Sequence, residues 1–269
     1  MDIRSLGFRT GLRLLEMTGS DIEDRGTHLV VRTPANPTFF WGNFLLLKAL
    51  PVLGGEREVV GAFHTEFPDA EHVAVGIDGT EDQTHALNGF IEAGLEVDSG
   101  VVLTASELVE PAAPPEEFVV RALESADDWE RRARLSHRLY ARTSEATFMQ
   151  YARARNEQER RLVARGIGQR YAAFADDELV STAAVFLTHA GVARFQNVET
   201  HADHRRQGLA AAVVHAAGRH AVEQLRVDRL VIAADHDGDA IGLYRRLGFA
   251  DVERHTTLER RPDSWRDEA

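Results

Sequence analysis

The run Val198-Glu199-Thr200-His201-Ala202-Asp203-His204-Arg205-Arg206-Gln207-Gly208-Leu209-Ala210 constrains this chain more than any other stretch. It reads as a strand, a basic turn and the start of a helix. Phe195 to Thr200 is β-prone, and an Ala-rich periodic segment runs from Leu209 to about Leu225. The first amides of a helix have no partner within it, and here they fall beside two arginines. The helix dipole and those N–H groups favour a phosphate, and Gly208 lets the backbone approach it closely. A second element follows the apolar strand Leu230–Ala234. It is the short helical run Asp239-Ala240-Ile241-Gly242-Leu243-Tyr244-Arg245-Arg246-Leu247, closed by Gly248-Phe249.

Arg205-x-x-Gly208-x-Ala210 resembles the pyrophosphate-binding motif of the GCN5-related N-acetyltransferase (GNAT) family. The tyrosine helix ending at Gly-Phe is similar to that family's other signature. The resemblance implies an α/β (α+β) protein built on the mixed sheet of the acyl-CoA N-acyltransferase fold. It also implies acetyl-CoA as co-substrate and direct transfer of its acetyl group to a primary amine. In the family, backbone groups at the positions of Val198, Glu199 and Thr200 hold the pantetheine arm. Arg205, Arg206, Gln207, Gly208, Leu209, Ala210 and Ala211 would then take the diphosphate. Tyr244 matches the general acid that protonates the departing thiolate, a role a phenol can fill. Asp237 falls where the family often has an asparagine on the pantetheine; as a carboxylate it keeps the acceptor and loses the donor. For the proton acceptor the resemblance leaves Glu199, His201, His204 or a water, because Ile232 stands where some members place a glutamate. Strand alternation weighs against a Glu199 side chain that faces the pocket. The equivalent of Ala126–Arg165 roofs the acceptor site in the family, which makes Tyr140, Phe148 and Tyr151 candidate acceptor contacts.

Composition narrows the classes further. With no cysteine among 269 residues, disulfides, thiolate metal sites and a cysteine nucleophile are excluded. The formal charge of −12 argues against nucleic acid as the main partner. No apolar run approaches a membrane span and no leader pattern is present, so a cytoplasmic protein is expected. Asp235-His236-Asp237-Gly238-Asp239 has metal-ligand residue types, but its glycine is misplaced for a calcium loop and no metal is expected. The first 115 residues hold 7 basic and 18 acidic side chains, which suits a small cationic amine as acceptor.

The proline-rich stretch Glu110–Glu116 suits a linker and divides the chain into residues 1–115 and 116–269. Before it the pattern predicts strands at Thr27–Thr33, within Thr38–Leu47, at His72–Ile77 and Leu95–Thr104, with helices at Glu56–Phe67 and Glu81–Ala93. After it come a strand, two helices, three strands, then helix, strand, helix, strand. The two orders match under a shift of 154 positions, which sets Gly54 on Gly208 and Gly94 on Gly248. The same shift sets Pro51 on Arg205, Glu56 on Ala210 and Phe90 on Tyr244. A tandem pair is expected, with a degenerate first copy that does not bind the coenzyme and a catalytic second copy. The rival reading is a sensor that binds acyl-CoA without turnover.

Overall fold

The computed structural model describes residues 2–52, 54–141, 143–236 and 238–262. The chain begins with a helix that the periodicity reading missed, α1 (Leu6–Met17). Ser5 caps it by accepting the Phe8 N–H, and the Leu6 and Gly7 N–H groups donate to the Glu253 carboxylate at 2.8 and 3.2 Å. There follow β1 (Asp21–Asp24), β2 (His28–Arg32), β3 (Phe44–Leu47), α2 (Glu56–Glu66), β4 (Val73–Ile77), α3 (Asn88–Glu92) and β5 (Glu96–Ala105). The helix expected at Glu81–Ala93 shrinks to α3 and a single 3₁₀ turn at Thr84–Ala86. Next come β6 (Phe118–Ala122), α4 (Ala126–Tyr140), α5 (Glu145–Ala164), β7 (Gly168–Ala175), β8 (Glu178–His189) and β9 (Val192–Thr200). The chain closes with α6 (Leu209–Glu223), β10 (Arg229–Asp235), α7 (Ala240–Arg246) and β11 (Ala250–Arg260). The order β-β-β-α-β-α-β thus occurs twice, from β1 to β5 and from β7 to β11.

These elements form two compact units. The first draws its described residues from Met1–Val102, Ala233–Gly238 and Val252–Ala269, the second from Leu103–Ile232 and Asp239–Asp251. This differs from contiguous halves parted in the proline-rich stretch. The chain leaves the first unit at Val102, and its last strand returns there because Thr256–Arg260 pairs with Ile77–Val73 of β4. Composition along the chain cannot reveal such a pairing, since it depends on the register of residues far apart in sequence.

In the first unit the strand order is β1-β2-β3-β4-β11-β5. Its core gathers Leu29, Val31, Leu45, Phe63, Val75, Phe90 and Leu258. Phe44 belongs to that core, with Phe40 and Trp41 packed against it. In the second unit the order is β10-β9-β8-β7-β6, antiparallel throughout except for β10 beside β9. The sheet alternates in the way its pleat requires. Arg170, Thr182 and Glu199 share the face covered by α4 and α5. Tyr171 on the opposite face meets His220 of α6, ring centroids 6.0 Å apart.

Candidate active site

The site starts from an irregularity in β9. Its register against β8 shifts between Thr182 and Ala184, and opposite that shift Asn197 adopts a positive φ of 48°. Such a bulge bends a strand. The parallel ladder between β9 and β10 covers only Val192↔Arg229 to Arg194↔Val231. Past Arg194, β9 pairs with β8 alone, and Val198 and Thr200 line a cavity of about 1200 Å³. Every residue lining that cavity belongs to the second unit.

The turn after β9 supplies the next wall. A 3₁₀ turn at Ala202–His204 leads to Arg206 at φ 61° and Gly208 at φ 80°, the N-cap of α6. At Gly208 a side chain would meet nothing within 4 Å, so the backbone faces open space. The first turn of α6 has no side-chain cap and no acidic residue, which leaves its amides and dipole available to an anion. Arg205, Arg206, Gly208, Leu209, Ala210 and Ala211 all line the cavity. Arg205 and Arg206 have no carboxylate partner among the described residues.

Tyr244 comes from α7 and is only 4% exposed, yet it too reaches the cavity. Its ring packs edge-on to Phe249 with centroids 6.1 Å apart, and Phe249 packs on Phe195 of β9 at 5.8 Å. A phenol so held can donate a proton to a ligand bound along β9.

The other expected residues fare differently. Gln207 does not line the cavity; its side-chain amide donates back to the Asp203 carbonyl at 3.4 Å. Asp237 lies outside the described residues. Glu199, expected as a catalytic base, is not brought to the cavity. The pleat that sends Val198 and Thr200 one way sends Glu199 the other, where it is 3% exposed. There Ser136 donates to both carboxylate oxygens at 3.0 Å, and Arg132 Nε lies 3.7 Å away. Arg132 also donates to Asn156 at 2.7 Å and approaches Glu159, which in turn accepts from Arg170 Nε at 2.8 Å. Burial alone would raise the Glu159 carboxyl, but the charges of Arg170, Arg132 and Arg155 outweigh it and hold it below its usual value. Arg170 Nη1 donates to the Asn197 carbonyl at 3.3 Å, so this buried ion cluster braces the bulge that shapes the cavity.

Of the candidate acceptor contacts, Tyr140 lines the cavity from the end of α4 and is 52% exposed. Phe148 and Tyr151 instead pack edge-on to each other against Ala133, Met149 and Ala152. His204 lines the cavity, while His201 accepts the Asp203 N–H across the turn at 3.3 Å. The sequence reading did not assign Pro111, Ala112, Leu139, Ala202, Asp239, Ala240, Leu243, Arg246 or Leu247 to the site. For Leu243 and Arg246 a signal existed, since they neighbour the face of α7 that carries Ala240, Tyr244 and Leu247. Pro111 and Ala112 read only as linker. Among the described residues there is no group of three or more His, Asp or Glu able to hold a metal, and no helix long and apolar enough to cross a membrane.

Residues 125–249 match the model of the acetyltransferase (GNAT) family. No curated protein matches the chain. Among solved structures, the chain is similar to a functionally unknown conserved protein from Staphylococcus epidermidis ATCC 12228, with TM-score 0.71 at 10% identity, over 90% of this chain and 94% of that one. It is also similar to a GCN5-related N-acetyltransferase from Kribbella flavida, with TM-score 0.64 at 18% identity, over 95% and 96%. A tandem GNAT protein from the clavulanic acid biosynthesis pathway matches with TM-score 0.54 at 14% identity, over 96% of each chain. These likenesses establish the fold.

Proposed function

We propose, because residues 125–249 match the model of the acetyltransferase (GNAT) family, that the chain is an acetyl-CoA-dependent N-acetyltransferase of the cytoplasm. It moves an acetyl group directly to the primary amine of a small cationic molecule. One observation carries the reading: a single cavity joins the uncapped first turn of α6, the strand segment Val198–Thr200 past the end of its parallel ladder, and Tyr244. Arg205, Arg206 and the α6 amides bind the diphosphate of the coenzyme. The β9 backbone orients the pantetheine arm, and Tyr244 protonates sulfur as the tetrahedral intermediate collapses. The amine proton leaves through His204 or water, because Glu199 is held by Ser136 and Arg132.

The first 115 residues belong to a degenerate copy, and they supply the acidity that favours a cationic acceptor. Two features support degeneracy. The first turn of α2 carries Glu56 and Glu58, where that of α6 carries no acid. The Glu56 carboxyl also lies so close to Gly89 that a Cβ there would come within 2.5 Å of it.

The orientation of Glu199 also favours a second reading, an acyl-CoA sensor without turnover. Thiol release from acetyl-CoA across a panel of amines, repeated at several ionic strengths, separates the two. Turnover that prefers cationic amines and weakens with salt is expected. Binding without release across the panel supports the sensor, and a preference for anionic acceptors contradicts the acceptor class.

A further inference from the structure

Two adjacent arginines on α7 meet opposite fates. Arg245 is tied to Asp251 by contacts of 3.0 Å from Nε and 2.6 Å from Nη2. Arg246, about 100° further round the helix, lines the cavity and has no carboxylate partner among the described residues. Its guanidinium folds back along α7 over Gly242, where an added Cβ would sit 3.5 Å from Nη1.

Arg205 and Arg206 lie on the turn before α6, and with the α6 amides they suffice for a diphosphate. A third unpaired cation, on a different element of the same cavity, calls for another anionic group on the ligand. In a CoA thioester the remaining anion is the ribose 3′-phosphate, a phosphomonoester with a charge of about −1.5 to −2 at neutral pH. The planar fork of an arginine suits such a group bidentately. Asp239 lines the cavity too, but among the described residues no ion pair joins it to Arg246.

We propose that Arg246 binds the 3′-phosphate and makes this chain select CoA thioesters over their dephospho forms. The inference rests on the coenzyme reading above, and its test separates the two. Calorimetric titration of the full chain with CoA and with 3′-dephospho-CoA is compared for wild type, R246Q and R245Q. Wild type is expected to bind CoA roughly tenfold more tightly, with the gap narrowing as salt rises. R246Q should bind both ligands with the affinity wild type shows for the dephospho form, and R245Q should keep the wild-type ratio. Both side chains are exposed, so unchanged melting of the free proteins is the folding control. Equal affinities in wild type, or a CoA preference retained in R246Q, would overturn the inference and leave the coenzyme site standing. Failure of wild type to bind either ligand would overturn the coenzyme reading and this inference together.

Discussion

Tyr244 and Glu199 were matched to the same reaction, and the fold assigns them different surroundings. Tyr244 faces the cavity with its ring braced by Phe249. Tyr244→Phe removes the phenolic donor and keeps the ring. In a thiol-release assay kcat should fall on the order of 10²-fold, with little change in acetyl-CoA affinity; an unchanged kcat would leave the ring a packing residue. Glu199→Gln keeps the shape and an acceptor for Ser136 but leaves the buried Arg132 charge only the longer contact to Glu159. Urea denaturation should show a loss of about 3 kcal/mol, while kcat changes little. A large fall in kcat at wild-type stability would return Glu199 to the chemistry. At this scale the sequence was most legible for placement, as with Gly208 at positive φ and Tyr244 on the cavity wall. Glu199 could be matched by position, but its duty depends on which way the pleat turns it, and a bulge at Asn197 lies just upstream.

Helix α4 carries Leu139 and Tyr140 to the cavity, so its N-terminal anchoring matters to the site. Ser125 and Asp128 form a reciprocal capping box, and Asp128 also accepts from Arg121 at 2.7 and 2.8 Å. The Arg121 hydrogen bonds, then the Glu124 and Ser125 amides, hold the Asp128 carboxyl well below the usual carboxylate range. A carboxyl lowered in the folded state stabilises it fully above the unfolded value near 4 and loses that contribution as pH falls further. Asp128→Asn should therefore cost about 1–2 kcal/mol at pH 7. The gap from wild type should be flat between pH 7 and about pH 5 and shrink below about pH 4; a gap independent of pH would contradict the assignment. Among elements, most of those after residue 116 were readable because each shows a clean period and a turn signal at its ends. The first helix was not read, although Leu6, Leu12 and Leu14 are all buried in it. Its first amides are satisfied by Glu253, more than two hundred residues away, which no local pattern announces.

Over the whole molecule the element order recurs, with Gly54 at positive φ one residue before the N-cap of α2, Gly208 at positive φ as the N-cap of α6, and Gly94 and Gly248 at positive φ just past α3 and α7. That much of the recurring pattern was legible, because a left-handed position favours glycine. The exchange of the last strand into the first unit was not, since it is written in register alone. The central claim is that one coenzyme binds per chain, at the turn into α6. Isothermal titration of acetyl-CoA into the full chain tests it most directly, with Gly208→Glu placing a carboxylate in the open space before the α6 amides. The account predicts one equivalent bound by wild type and none by Gly208→Glu. Two equivalents, or binding that survives in Gly208→Glu, would contradict it.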